Sequence, residues 1–238
     1  MSFVRCAAAY AVHVYTASGA LCALAALGPI TRHDSRTAFL WLSLAVIIDA
    51  SDGALARLVR VREHAPLIDG ARLDDIVDYL TYVLVPVLLL LEAGMFPAGW
   101  GALAASAVLL ASALGFARRD AKSADHFFTG FPSYWNVVAL YLVAFEWSPF
   151  TNMLVVSLFV VLVFVPIGYV YPSQIPTLRL LTVAWCAVWG IQVLAIIWAL
   201  PDVSRTLLWS SLAFPVYYGT LSIVLHTHRP RIHRSGAC

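Results

Sequence analysis

The sequence predicts an all-α, polytopic integral membrane protein. Of its 238 residues, 61% are hydrophobic and only 12% are charged, and the mean hydropathy is +0.83. A water-soluble domain carries about twice this share of charged residues. The chain also contains several apolar stretches of about 20 residues, the length at which a helix crosses a bilayer. These observations predict a bundle of transmembrane helices.

Eight apolar stretches are candidates for spanning helices. The first has features of a signal sequence, but its apolar part continues without a clear cleavage site, so we interpret it as a helix. The second and third carry aspartates, and the fifth is short. The predicted spans are 7–30, 37–56, 74–96, 101–117, 132–147, 150–171, 179–200 and 205–226. With no repeat or long linker, residues 1–238 are expected to form one transmembrane domain.

The distribution of basic residues predicts the orientation of these helices. Cytoplasmic loops carry an excess of Lys and Arg, and a cytoplasmic amino terminus places twelve of the fifteen Lys and Arg residues on that side. Both termini are therefore expected in the cytoplasm. Residues 227–238 form a short basic tail, which we expect to lie on the anionic inner leaflet. The net charge of +2 is too small to indicate a nucleic-acid partner.

Four aspartates interrupt the apolar pattern. Asp49 and Asp52 are three residues apart, and Asp74 and Asp78 are four apart, so each pair shares one face of its helix. Carboxylates at membrane depth are unfavourable without partners, and small residues nearby allow the two helices to approach closely. Ligands that offer only oxygen favour Mg²⁺, Mn²⁺ or Ca²⁺ over zinc. Two such ions would balance the four negative charges.

Arg57 indicates what the predicted metal site acts on. It follows Gly53 by four residues on the same helix, which places a guanidinium beside the carboxylates. A purely structural cation site gains little from a neighbouring cation. A phosphoryl-transfer site gains a good deal, because metal ions and a guanidinium together stabilise charge on phosphate oxygens.

The motif that contains these residues resembles the signature of a known enzyme family. Residues 49–57 read DASDGALAR and residues 70–78 read GARLDDIVD. Together they match all the fixed positions in the signature of the CDP-alcohol phosphatidyltransferases. The spacer, residues 58–69, is twelve residues long and is longer than in most members. In this length, and in the number of predicted helices, the chain resembles the bacterial phosphatidylcholine synthases of that family.

The resemblance implies a role for each residue of the motif. Two divalent ions, Mn²⁺ or Mg²⁺, would be bound by Asp49, Asp52, Asp74 and Asp78, and Asp78 would also act as the general base. The CDP group would be bound by Gly53, Ala56, Arg57, Gly70, Thr16 and Ser18. For the last two residues an alternative stays open, because Ser and Thr hydroxyls often bond to the backbone of their own helix.

Choline has a quaternary ammonium group that offers no hydrogen-bond donor, so an aromatic surface is expected to bind it through cation–π attraction. Tyr134 and Trp135, with the neighbouring Asn136, are the leading candidates. Aromatic residues also form belts at any membrane interface, and this alternative stays open. Six further tyrosines are possible contributors, namely Tyr79, Tyr82, Tyr169, Tyr171, Tyr217 and Tyr218.

The resemblance therefore implies an inner-membrane bacterial enzyme that makes phosphatidylcholine from CDP-diacylglycerol and choline and releases CMP. It also implies a homodimer among membrane lipids, with a cytoplasmic active site. One alternative is a related enzyme with another acceptor: serine, glycerol 3-phosphate or an inositol phosphate. A second is a cation-coupled transporter. The transporter is disfavoured because the aspartates lie beside a basic loop rather than at the bilayer centre.

Overall fold

The computed structural model describes residues 3–118, 127–170 and 178–227, and nearly all of them are helical. The first half contains α1 (Phe3–Ala17), α2 (Gly19–Thr31), α3 (Ser35–Leu58), α4 (Val61–His64), α5 (Gly70–Asp78), a π-helix (Tyr79–Leu84), α6 (Val85–Glu92) and α7 (Gly101–Ala117). The second half contains α8 (Trp135–Phe145), α9 (Pro149–Phe164), α10 (Arg179–Ala199), α11 (Arg205–Ser211) and α12 (Ala213–Thr227).

Four helical segments in the described part of the chain are long and apolar enough to cross a membrane. They are Phe3–Thr31, Ser35–Leu58, Arg179–Ala199 and Arg205–Thr227. The predicted all-α membrane architecture is therefore confirmed. The other predicted spans coincide with shorter helices or, for 74–96, with the continuous run from α5 through the π-helix to α6. Whether those segments also cross stays a prediction.

Two predicted spans are longer than the helices that occupy them. Helix α8 has 11 residues, about 16 Å of helix, because Ser133 and Glu146 on either side have positive φ angles of 57° and 52°. Helix α9 ends at Phe164, before Pro166. Proline disfavours helical conformation in the residue before it, and Val165 is extended. The predicted boundaries 132–147 and 150–171 were therefore wrong, and residue 171 lies outside the described residues.

The structure contains one small element that the all-α prediction did not include. Strands β1 (Phe127–Thr129) and β2 (Gly168–Val170) pair antiparallel, with Phe128 opposite Tyr169. Gly130 follows β1 with a φ of +85°, and a Cβ at this position would overlap the Val163 carbonyl oxygen. Only glycine fits both the conformation and the space.

The core lies around α6 and α8, whose side chains are buried on nearly all sides. Leu89 and Leu90 of α6 and Trp135, Leu142 and Phe145 of α8 are at most 2% exposed. Helices α10 and α12 lie at the periphery and expose large apolar side chains. Such surfaces suit contact with lipid, as expected for a membrane protein.

The twelve-residue spacer between the two motif halves is a folded element. Arg60 has a left-handed backbone conformation, with a φ of +51°, and precedes the short helix α4. Val61 and Ala65 are buried against Ala9 and Val12 of α1. The spacer is therefore anchored to the first helix, next to the helices that carry the motif.

Candidate metal and substrate site

Three of the four predicted aspartates form a compact acidic group. Asp49 is on α3, and Asp74 and Asp78 are one turn apart on α5. Each offers a carboxylate oxygen, and these oxygens lie within 4.8 Å of one another. Like charges at this separation repel strongly unless cations or protons neutralise them. The arrangement therefore suits the binding of a cation.

Asp52 lies next to this group and has a defined hydrogen-bond partner. It is one turn after Asp49 on α3 and is 8% exposed. The Thr16 hydroxyl on α1 donates to Asp52 Oδ2 at 2.7 Å. All four aspartates line one pocket, together with Thr16, Ala45, Ile48, Val77 and Thr81. The fourth carboxylate is thus held by α1 at the edge of the group of three.

Glycine residues allow the helices that carry these aspartates to approach closely. A Cβ at Gly19, the first residue of α2, would lie 2.6 Å from Val77 Cγ1 on α5. A Cβ at Gly70, the first residue of α5, would lie 3.2 Å from His13 Cε1 on α1. His13 is 4% exposed, and its Nε2 has no hydrogen-bond partner among the described residues. The motif glycine Gly70 is therefore explained by its close contact with His13. Together the two contacts set how closely α5 packs against α1 and α2.

The residues predicted to bind CDP lie on α1, α3 and α5 or directly next to them in the sequence. Gly53 and Ala56 are partly buried, and the exposed guanidinium of Arg57 lies over Gly53, with Nη1 3.5 Å from the position of a Cβ there. Ser18 donates its hydroxyl to the Tyr15 carbonyl oxygen at 2.6 Å. Ser18 therefore shows the intrahelical bond of the alternative interpretation, whereas Thr16 reaches a motif aspartate. Their predicted contacts with CDP stay predictions.

The two aromatic residues predicted to bind choline have different surroundings. Tyr134 is partly buried, and its ring centroid is 5.8 Å from that of Tyr82. Trp135 is 0% exposed, and its indole N–H donates to Ser112 Oγ at 2.8 Å within the core. The Asn136 side-chain oxygen accepts a bond from the Val137 backbone N–H. The Tyr134 ring is thus partly accessible, whereas Trp135 is enclosed by the core, and the predicted choline contacts of both stay predictions.

Tyr82 is a site residue whose contact the sequence analysis missed. It lies on the π-helix that begins directly after Asp78. Its phenol donates to Asp49 Oδ2 at 2.7 Å, and its side chain is buried. The available signal was limited to its position four residues after Asp78, because the π-helix that turns it toward α3 is not evident from the sequence. The sequence analysis considered Tyr82 only as one of six further aromatics.

Comparison with known proteins identifies the family. No model of a protein family matches the chain. The chain is 42% identical to the phosphatidylcholine synthase of Legionella pneumophila over 87% of its own length and 83% of the relative. It is 38% identical to that of Rhizobium meliloti over 77% of the chain and 76% of the relative. For the Pseudomonas aeruginosa protein the identity is 35% over 81% of both chains. The chain belongs to the phosphatidylcholine synthases.

Membership of the phosphatidylcholine synthase family and the apolar spanning helices together make this a multi-pass bacterial membrane protein. The predicted family resemblance is confirmed by relatives that cover most of the chain. The donor set of the acidic group is also consistent with a divalent cation. It consists of carboxylate oxygens from Asp49, Asp74 and Asp78, and hard cations such as Mg²⁺ and Mn²⁺ prefer oxygen ligands.

Proposed function

We propose that this chain transfers the phosphatidyl group from CDP-diacylglycerol to choline and thereby forms phosphatidylcholine and CMP. The observation that carries the proposal is the convergence of Asp49, Asp74 and Asp78 within 4.8 Å at the pocket that Asp52 also lines. Support for the product comes from relatives named phosphatidylcholine synthase that match most of the chain.

The metal site in this proposal consists of the four aspartates. Asp49, Asp74 and Asp78 would hold divalent ions, Mn²⁺ or Mg²⁺, and Asp52, fixed by Thr16, would complete the set for two ions. Such ions, when bound, withdraw charge from the phosphate oxygens of the donor and so favour attack on phosphorus. The oxygen-only donor set supports this choice of metals.

The residues of the chain account for the proton and the leaving group. Asp78 accepts the proton of the choline hydroxyl as the choline oxygen forms its bond to the phosphorus of the phosphatidyl group. The bond between that phosphorus and the pyrophosphate bridging oxygen breaks, and CMP leaves with the electron pair. Arg57, exposed beside Gly53, holds the negative phosphate of the CMP portion. Gly53 and Ala56 leave room for the nucleotide against the backbone of α3, whereas the space beside Gly70 is occupied by His13.

The membrane arrangement extends the proposal. We infer eight crossings, one for each apolar stretch of the sequence, with the residues on either side of the 11-residue α8 completing its crossing. A cytoplasmic active site agrees with the excess of basic residues on that side. It also agrees with the solubility in water of the acceptor choline and the leaving group CMP. The enzyme would lie in the inner membrane as a homodimer surrounded by lipid. The basic tail falls on residues that lie almost entirely outside the described part of the chain.

The experiment that tests the reaction is an acceptor comparison. Purified protein is incubated with CDP-diacylglycerol and, separately, labelled choline, serine, glycerol 3-phosphate or inositol, with and without a divalent-metal chelator. We expect labelled lipid from choline alone, and we expect the chelator to abolish its formation. Labelled product from another acceptor but not from choline would overturn the substrate assignment. Full activity in chelator would overturn the metal assignment.

A further inference from the structure

Tyr82 contacts both the acidic group and Tyr134, a residue predicted to bind the choline acceptor. Its phenol donates to Asp49 Oδ2 at 2.7 Å. Its ring centroid lies 5.8 Å from that of Tyr134, with the ring planes inclined by 54°. Because the side chain is only 8% exposed, water competes little for the bond with Asp49. Tyr82 therefore contacts both a proposed metal ligand and a proposed choline-binding residue.

The hydrogen bond from Tyr82 restrains the Asp49 carboxylate, which is also a proposed metal ligand. An ionised carboxylate has two oxygens and about four lone-pair sites, so Asp49 can accept the phenol and still bind a cation. Hydrogen bonds from outer groups fix the orientation of metal-binding side chains, and their loss weakens metal binding. The bond from Tyr82 thus holds Asp49 toward Asp74 and Asp78.

The π-helix explains why Tyr82 reaches Asp49. In an α-helix, side chains four residues apart turn by about 40° relative to one another, so a residue eight positions after Asp74 would turn about 80° away from it. The π-helix Tyr79–Leu84 has a wider turn and reduces this drift. Tyr82 consequently stays on the side of the helix that faces α3.

The chemistry of choline requires an aromatic surface close to the acidic group. Its ammonium group is separated from the reacting hydroxyl by only two carbons. When the hydroxyl reaches Asp78, the ammonium group must lie within a few ångströms of the same carboxylates. Two aromatic rings lie next to the acidic group: the phenol of Tyr82 donates to Asp49, and the Tyr134 ring is in contact with the Tyr82 ring. Trp135, by contrast, is fully buried.

We propose that Tyr82 is a positioning residue for Asp49 and that the rings of Tyr82 and Tyr134 form the surface that selects the quaternary ammonium group of the acceptor. This inference rests on the proposed function. Its experiments therefore include the wild-type protein with choline, so that failure of the reaction and failure of the inference give different results.

The positioning role is tested by metal binding in the absence of substrate. Mn²⁺ is titrated into detergent-solubilised protein while the electron paramagnetic resonance signal of free Mn²⁺ is recorded. We expect Tyr82→Phe to weaken binding by roughly 10- to 100-fold, the usual effect of losing an outer hydrogen bond to a ligand. The matched control is Tyr79→Phe, which removes a phenol on the same π-helix that donates to the Leu109 carbonyl oxygen at 2.9 Å. The control should bind Mn²⁺ like the wild type.

Two outcomes would overturn the positioning role. One is wild-type Mn²⁺ affinity in Tyr82→Phe. The other is equal weakening by Tyr79→Phe, since that would indicate a general disturbance of the π-helix. Thermal unfolding of Tyr82→Phe and Tyr79→Phe is recorded as well, and similar profiles show that neither preparation is misfolded.

The selective surface is tested with a neutral isostere of choline. The KM for choline and the inhibition constant of 3,3-dimethylbutan-1-ol are measured for the wild type, Tyr134→Phe and Tyr134→Leu. We expect Tyr134→Leu to raise the KM for choline by about 2- to 30-fold, the range of one cation–π contact, with little effect on the neutral compound. Tyr134→Phe retains the ring and should therefore keep the preference for choline over the neutral compound that Tyr134→Leu loses.

The outcomes separate the inference from the reaction. If Tyr134→Leu weakens choline and the neutral isostere equally, or weakens neither, the selective surface is wrong. If the wild type transfers nothing to choline, the proposed function itself fails. Transfer by the wild type together with unchanged variants refutes the inference alone.

Discussion

The carboxylate of Asp78 has two tasks in the proposed reaction, because it belongs to the acidic group and accepts the proton of the acceptor. Its oxygen lies within 4.8 Å of oxygens from Asp49 and Asp74. Removing its charge would therefore affect catalysis and folding in opposite directions. Catalysis would lose a ligand and a base, whereas the folded state would lose one source of like-charge repulsion.

At the residue scale we predict that Asp78→Asn reduces turnover by at least about 10²- to 10⁴-fold, the contribution of a general base. Without divalent ions, its unfolding temperature should equal or exceed that of the wild type, because one repelling charge is gone. Turnover is measured with CDP-diacylglycerol and labelled choline, and unfolding by a thermal scan in detergent with chelator.

The control for this prediction is Asp75→Asn, on the same helix but outside the group of three. It should retain most of the activity. Normal turnover in Asp78→Asn would remove Asp78 from the role of base, and a large loss in Asp75→Asn would show that the assay is sensitive to any charge change on α5.

Some individual contacts could be predicted from the sequence and others could not. The spacing of the aspartates on two helices was sufficient to predict that they share faces, and the structure brings them to one pocket. The phenol of Tyr82 was harder to place, since its contact with Asp49 depends on a π-helix that local sequence does not reveal. Trp135 was chosen for its chemistry, but its burial follows from long-range packing.

At the scale of the elements, Gly19 allows α2 and α5 to approach closely. A Cβ at Gly19 would lie 2.6 Å from Val77 Cγ1, inside any normal contact distance. Val77 lies between Asp74 and Asp78, so a displacement of its backbone would move both carboxylates. The position of α5 therefore depends on the missing side chain at Gly19.

We predict that Gly19→Ala destabilises the protein by about 1–3 kcal/mol, the usual effect of overpacking, and lowers turnover. Val77→Ala in the same chain should restore much of both, because it removes the atom that the new methyl group meets. Thermal unfolding and transfer activity of the single and double variants provide the measurement. Additive losses in the double variant would contradict the steric explanation.

A second prediction at this scale concerns the start of α3. Asp34 caps this helix by accepting a bond from the Thr37 backbone N–H at 3.0 Å, and hydrogen bonds with Thr37 lower the pKa of its carboxyl. A lowered pKa in the folded state contributes stability above the ordinary carboxyl pKa of about 3.9, which is lost as the pH falls through the folded value.

We therefore expect Asp34→Ala to lose about 1 kcal/mol of stability at neutral pH. Asp34→Asn retains an oxygen acceptor and should lose less. The difference in unfolding temperature between the wild type and Asp34→Asn should shrink as the pH falls below about 4. A difference that stays constant with pH would show that the charge of Asp34 adds nothing to the cap.

The existence of the helices could be predicted from hydropathy, but the residues at which they end could not, because helix ends leave a weaker signal in the sequence. Helix α8 is short because Ser133 and Glu146 have left-handed backbone conformations. Neither serine nor glutamate is a residue type from which that conformation can be predicted. The pairing of β1 with β2 joins segments about forty residues apart in sequence, and pairing over such a distance leaves no local periodicity. Element types were therefore easier to predict than boundaries.

At the scale of the whole molecule, orientation is the main prediction that the arrangement of basic residues supports. Single cysteines are introduced into a chain without Cys6, Cys22, Cys186 and Cys238. We expect His33→Cys, between α2 and α3, to react with a membrane-impermeant maleimide in intact spheroplasts. Glu63→Cys, in α4, should react only after permeabilisation. The reverse pattern would invert the proposed topology.

The architecture of the whole chain was predictable because composition alone restricts a sequence of this hydropathy to a membrane bundle. The order of burial within the bundle was less accessible. Helices α6 and α10 are both strongly apolar, yet α6 is central and α10 is peripheral. Hydropathy does not distinguish contact with lipid from contact with protein, since both surroundings are apolar.

The spacer has a consequence for the design of chimaeric enzymes. Because Val61 and Ala65 are buried against Ala9 and Val12, residues 58–69 and the amino-terminal helix form one packing unit. A graft that imports only residues 58–69 from a distant homologue would replace one side of this contact and leave the other unchanged. Both segments should be transplanted as one cassette.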